Sequence, residues 1–166
     1  GRQCPYNNKA RGSWIGLNWG HKIEHLYKSI LESIAYDARE GIENIKSLFS
    51  EYDFSEILII GGGAKSDVWN QIKADITGLD YIKSEIFEAN IRGSGIIAGY
   101  GAGFIDDIEK VALKASLSNS GTKGSVFKTI KNNKLIYDEY FKIYKDIFKN
   151  SLNTTFDKIF EIKLKT

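Results

Sequence analysis

Ile57-Leu58-Ile59-Ile60-Gly61-Gly62-Gly63-Ala64-Lys65-Ser66 is the stretch on which the fold turns. Its first four residues form a continuous apolar run, β-branched at three positions, that ends at three glycines, so it reads as a buried central strand entering a tight turn. Ser66 or Asp67 is placed to cap a following helix in which Val68, Trp69, Ile72 and Ile76 share a face, and Gly78 marks its end. The unit is strand, glycine turn, helix. A turn without side chains lets a flat or anionic ligand approach the backbone, and the helix N-terminus offers N–H groups. The turn is therefore a candidate nucleotide site, although the same residues also suit a plain tight turn. Its spacing is neither that of a P-loop nor that of the GxGxxG dinucleotide fingerprint.

Upstream, Ile23, Leu26, Tyr27, Ile30, Leu31, Ile34, Ala35, Ala38, Ile42, Ile45 and Leu48 recur at three- and four-residue steps, which predicts one long amphipathic helix. At ~1.5 Å per residue such a helix spans about 39 Å, the width of a domain. The first 20 residues, with five of their positions Gly or Pro, read as loop or short edge strands. Downstream, Tyr81-Ile82 is a short strand, and Ala89 to Gly103 is a helix so rich in glycine that burial against a close backbone must compensate. Phe104 to Ala115 reads as a short helix capped by Asp106 or Asp107, then a polar break to Lys123 and a strand at Ser125 to Phe127. Leu135 to about Leu152 is the last clear element, a helix with the stripe Ile136, Tyr137, Tyr140, Phe141, Tyr144, Ile147 and Phe148.

Composition narrows the class. A chain of 166 residues fits one domain, and 42% hydrophobic with 27% charged residues is the balance of a globular core rather than of disorder. The net charge of +2 demands no nucleic-acid partner; the lysine-rich last third is interleaved with Asp138, Glu139, Asp146 and Asp157 as on a solvated helix face. The most apolar stretch, Gly93 to Ile105, is too short to cross a bilayer, and one cysteine, Cys4, with no leader-like segment points to a reducing, cytoplasmic setting. The absence of Met and the initial Gly fit a piece of a larger protein.

Other motifs have plainer readings. His21 and His25 stand four apart with only Glu24 nearby, which suits packing or capping better than a metal. Gly93-Ser94-Gly95-Ile96-Ile97-Ala98 satisfies GxGxxA but follows polar Glu88-Ala89-Asn90 instead of a buried strand, so helix packing accounts for it better than a dinucleotide. No catalytic constellation and no metal-ligand set can be assembled from the sequence.

Gly12-Ser13-Trp14-Ile15-Gly16-Leu17, followed after seven residues by His25-Leu26-Tyr27-Lys28-Ser29-Ile30-Leu31-Glu32, resembles the second signature of the FGGY carbohydrate kinases. Leu58 to Ser66 with Trp69, Gln71 and Ala74-Asp75 resembles that family's adenosine-side loop, in the same order and separation. Glu88-Ala89, Arg92-Gly93 and Gly103-Phe104-Ile105-Asp106-Asp107 match as well. Gly1-Arg2-Gln3-Cys4-Pro5 and Asn18-Trp19-Gly20-His21 look most like the xylulokinase and ribulokinase branch.

The resemblance implies an α/β fold: part of an actin-like (ribonuclease H-like) ATPase domain, a sheet with packed helices. Residues 1–166 would be the C-terminal nucleotide-binding domain of a sugar kinase, without its N-terminal sugar-binding domain. The implied reaction moves the γ-phosphoryl group of ATP to a hydroxyl of a ketopentose such as xylulose, with Mg²⁺ as cofactor. By motif correspondence Gly62, Gly63, Ala64 and Asp67 contact the adenine and ribose side of ATP, while Gly61 and Ser66 set the loop. The family often carries Asn near the position of Asp67 or Asn70, so either is a candidate for base contact. The catalytic Asp base, the sugar pocket and the phosphate hairpins lie upstream of the matched segment, so no catalytic or metal residue is expected here and the chain alone is expected to be inactive. A fragment of this kind exposes surface that its parent covers, which favours self-association or dependence on a partner. A non-catalytic nucleotide-binding or interaction module of the same fold is the alternative.

Overall fold

The computed structural model describes residues 2–3, 6–84, 89–117 and 124–163. Two short strands, β1 (Arg2–Gln3) and β2 (Tyr6–Asn7), pair antiparallel ahead of α1 (Ile23–Leu48). After α1 come β3 (Glu56–Ile59), a 3₁₀ turn (Gly62–Lys65), α2 (Asp67–Thr77) and β4 (Asp80–Lys83). Then follow α3 (Ala89–Gly101), α4 (Ile108–Leu117), β5 (Val126–Phe127), α5 (Lys131–Ile147), a π-helical segment (Phe148–Leu152) and α6 (Asn153–Lys163).

The 26 residues of α1 cover the predicted span, and at its start Nδ1 of His25 accepts the Lys22 amide at 3.0 Å while the His25 amide donates to the Lys22 carbonyl at 3.0 Å. His25 is thus a capping residue. Strands β3 and β4 are parallel, with Ile57 opposite Tyr81, and α2 is the crossover between them; β5 then pairs antiparallel with β4, placing Phe127 opposite Tyr81. A parallel pair requires such a crossover, because its strands cannot be joined by a tight hairpin.

Helix α2 is the hub of the core. One side contributes Ile72 and Ile76, which pack with Ala35 and Tyr36 of α1 and Phe141 of α5. Its other side contributes Ala74, packed with Leu79, Tyr81 and, more peripherally, Ile57, Ile59 and Phe127 of the sheet. Ile76 is fully buried, a placement that contributes about 1.5–3 kcal/mol. Burial pushes the phenols of Tyr36 and Tyr137 above the ordinary tyrosine range, with Glu32 adding to both shifts; Tyr137 donates to Glu32 Oε1 at 2.8 Å.

Polar stitches hold the three helices in place. Arg39 of α1 reaches the carbonyl of Ile76 at 2.9 Å and the carboxylate of Asp138 at 2.7 Å, with its guanidinium 4.2 Å from the centre of the Phe141 ring. A cation at the C-terminal carbonyls of α2 also meets the negative end of that helix. Helix α6 returns to the N-terminal segment, where Asn153 accepts from Asn7 at 2.7 Å and Asp157 pairs with Lys9 at 2.9 Å.

Four expectations are corrected. Strand β3 lies at the edge of the three-stranded sheet, not at its centre, because only β4 pairs with it among the described residues, and Leu58 and Ile60 are exposed instead of buried. Val68 is 71% exposed and lies off the buried face of α2. Helix α3 forms but ends at Gly101, two residues short of Gly103, and its glycines do not meet a close backbone: a Cβ at Gly93, Gly95 or Gly101 would touch nothing within 4 Å, and one at Gly99 would meet only the side chain of Ile105. The C-terminal helix begins at Lys131, and α6 continues the chain as helix beyond Leu152. The polar break falls partly outside the described residues, at 118–123. Asp107, one of the two expected caps, accepts the Lys110 amide at 2.9 Å in the first turn of α4.

Candidate nucleotide site

The turn between β3 and α2 is built from demands on individual residues. Gly61 has φ 81° and ψ −168°, a conformation open in practice only to glycine. Gly63 is glycine for a different reason: a Cβ there would lie 2.8 Å from Cζ3 of Trp69. Gly62 is required by neither constraint. Its φ is unexceptional and a Cβ would enter open space, so nothing in the described chain requires glycine there. Neither the Gly62 nor the Gly63 amide bonds to a described residue, as expected for the opening N–H groups of a 3₁₀ turn.

Ala64 closes the turn. Its amide donates to Gly61 O at 3.2 Å, the residue is buried, and its carbonyl accepts from Asn70 Nδ2 at 2.8 Å. Ser66 is the N-cap of α2, its Oγ accepting the Trp69 amide at 3.3 Å, and Gly78 ends the helix in the left-handed conformation with φ 73°. Asp67 is exposed in the first helical turn and pairs with Lys83 at the end of β4, 3.0 Å away.

This electrostatic arrangement separates two kinds of ligand. The α2 N-terminus already holds a side-chain cap and the carboxylate of Asp67, so a phosphate placed there would meet a negative charge. A neutral base or ribose would meet bare glycine backbone and a carboxylate able to accept from a hydroxyl. The predicted residues Gly61, Gly62, Gly63, Ala64, Ser66 and Asp67 are thus contiguous in space, with Ala64 buried, Ser66 engaged as the helix cap, and Gly62, Gly63 and Asp67 open to solvent.

Asn70 departs from its expected candidacy for base contact. It is fully buried, with Nδ2 on Ala64 O and Oδ1 accepting from Lys73 Nζ at 3.2 Å. Lys73 also sits 4.0 Å from the centre of the Trp69 ring, and burial lowers its pKa from the ordinary lysine value. An unpartnered buried carbonyl costs about 1–3 kcal/mol, which gives Asn70 a structural task under the loop. The sequence signal for it was available but weak: Asn70 lies on the buried side of α2 with Ala74, where a polar residue needs a partner.

The GxGxxA run lies inside α3 instead of at a strand-to-helix turn, so it lacks the context of a dinucleotide fingerprint. Among the described residues no group of three or more His, Cys, Asp or Glu side chains could hold a metal ion, and these residues do not by themselves fit a Mg²⁺ site. No described helix is long and apolar enough to cross a membrane.

The layered arrangement of sheet, crossover helix and glycine turn is that of FGGY sugar kinases, which have the actin-like ATPase fold. The solved xylulose kinase from Lactobacillus acidophilus superposes with a TM-score of 0.65 at 18% identity, over 90% of this chain and 30% of that one. Glycerol kinase from Plasmodium falciparum, solved with ADP, gives 0.62 at 22% identity, over 85% and 28%. The family model for the C-terminal domain of the FGGY family of carbohydrate kinases matches residues 1–102, and the chain belongs to that family. It is 31% identical over 159 residues to the xylulose kinase of Bacillus subtilis, covering 93% of this chain and 30% of that protein. The chain therefore spans about three-tenths of the length of the curated relatives it matches.

Proposed function

We propose that residues 1–166 are the ATP-side, C-terminal portion of a carbohydrate kinase whose complete form transfers the γ-phosphoryl group of ATP to a hydroxyl of a ketopentose such as xylulose. The observation that carries this reading is Gly62: in a chain of this family, it is an exposed backbone position in the turn between β3 and α2 without any internal requirement for glycine. Gly62, Gly63 and Asp67 meet the adenine and ribose, and Gly61, Ala64 and Ser66 hold the loop. Phosphoryl transfer is largely positioning and charge stabilisation, and the base that takes the sugar proton, the sugar pocket and the phosphate contacts belong to the rest of the enzyme. Mg²⁺ travels with the phosphates, since it keeps water ligands and needs few protein carboxylates.

The exposed apolar residues support a partner. Ile23, Tyr27, Ile30 and Ile34 run along one side of α1, the first three beside Trp14, all exposed, and a patch of this kind marks an interface. In the complete enzyme the N-terminal domain covers it; in the isolated chain, a second copy does.

The test has two parts. The chain alone, given ATP and D-xylulose, binds the nucleotide weakly and forms no sugar phosphate; turnover by the pure chain would show that the base lies within it. The complete enzyme, assayed on ketopentoses, glycerol and gluconate, prefers a ketopentose, and a preference for glycerol would overturn the substrate assignment.

A further inference from the structure

The glycine loop rests on a small assembly from the first two turns of α2. Asn70, fully buried, bridges Ala64 O at 2.8 Å and Lys73 Nζ at 3.2 Å. The Lys73 ammonium lies 4.0 Å from the centre of the Trp69 ring and 5.9 Å from that of Tyr81. Trp69 in turn donates from Nε1 to Leu31 O of α1 at 3.4 Å and lies directly behind Gly63.

An asparagine amide has two ends of opposite character, and a buried one must be told which way to point. Lysine only donates. With Lys73 beside it, the flipped amide would set NH₂ against an ammonium and Oδ1 against the Ala64 carbonyl, so the pair admits one orientation. We propose that Asn70 and Lys73 are positioning residues for nucleotide: Lys73 orients the Asn70 amide, and Asn70 holds the Ala64 carbonyl inward so that the Gly62–Gly63 backbone faces the adenosine. This rests on the nucleotide reading above.

The experiment compares the ¹⁵N-labelled chain with Asn70→Ala, Lys73→Met and Lys73→Arg. Methionine keeps the stem against Trp69 while removing the donor, and arginine keeps a donor and a cation. Amide exchange of Ala64, referenced to Ala35 in the core of α1, accelerates about ten-fold in Asn70→Ala and Lys73→Met and returns towards the parent rate in Lys73→Arg. The dissociation constants of ATP and adenosine rise together in the first two variants and recover in the third. Unchanged Ala64 exchange in Lys73→Met, or equal affinities in all four proteins, overturns the proposal, and Lys73→Met serves if Asn70→Ala does not fold. Failure of the parent chain to bind ATP or adenosine overturns the nucleotide reading instead, and is told apart because the exchange comparison needs no ligand.

Discussion

The carboxylate of Asp75, on α2, accepts the backbone amide of Ile130 at 2.8 Å and so caps α5 from a different helix. Asp75 is 3% exposed, and it also takes Gln71 Nε2 at 2.9 Å and Asn133 Nδ2 at 2.8 Å. Ile130, the N-cap by position, has no side chain for the task. A residue of the matched motif thus secures the start of α5. Asp75→Ala should cost about 1–3 kcal/mol, because buried donors lose their acceptor, whereas Asp75→Asn should cost less. Thermal or urea unfolding measures both, and an unchanged midpoint in the alanine variant would contradict the capping role.

Acid stability should depend on Asp138. Burial pushes its carboxyl up, but hydrogen bonds from Lys134 and Arg39, with the two positive charges, outweigh burial and hold it below the ordinary value of 3.8. A depressed carboxyl contributes stability that is fully present above its unfolded value and is lost as pH falls through the lower folded value. Unfolding free energy, followed from about pH 6 to about pH 2, should fall below 3.8 in the parent and fall less steeply in Asp138→Asn. Parallel curves would contradict the pairing with Arg39.

Two neighbouring glycines should behave oppositely. Gly63→Ala drives a Cβ against the Trp69 ring and should destabilise by about 1–3 kcal/mol, the usual range for overpacking. Gly62→Ala points into open space and should leave the melting temperature unchanged or slightly raised. Calorimetry of the two variants checks the pair.

The apolar side of α1 should drive self-association. Tyr27→Glu with Ile30→Glu changes exposed positions, so the fold should persist while the sedimentation profile shifts towards monomer. A parent chain that sediments as a monomer at all concentrations would contradict the prediction.

Much of this is legible in the sequence. The stripe from Ile23 to Leu48, the glycine turn, the Ser66 cap and the Gly78 stop are local signals, set by side chains within a few residues of one another. Long-range pairing is not local. Ile57 to Ile60 looks the same whether one strand or two lie beside it, so its edge position was hidden. Glycine in α3 signalled close packing that the described chain does not supply. Helix α6 had its signal in Phe156, Ile159 and Phe160, but Asn153-Thr154-Thr155 imitates a break while in fact beginning the helix. The candidate site was readable as contiguous residues; the hydrogen bond that Asn70 makes beneath it was not, since it depends on where the Ala64 carbonyl points.

The most direct measurement is a titration of the labelled chain with ATP, in parallel with its Gly62→Ala variant. Shifts should gather at Gly61 to Asp67 and at the Trp69 indole in the parent, and affinity should drop in Gly62→Ala at unchanged thermal stability. Shifts elsewhere on the chain, or identical affinity in the two proteins, would contradict the assignment of this turn to the adenosine of ATP.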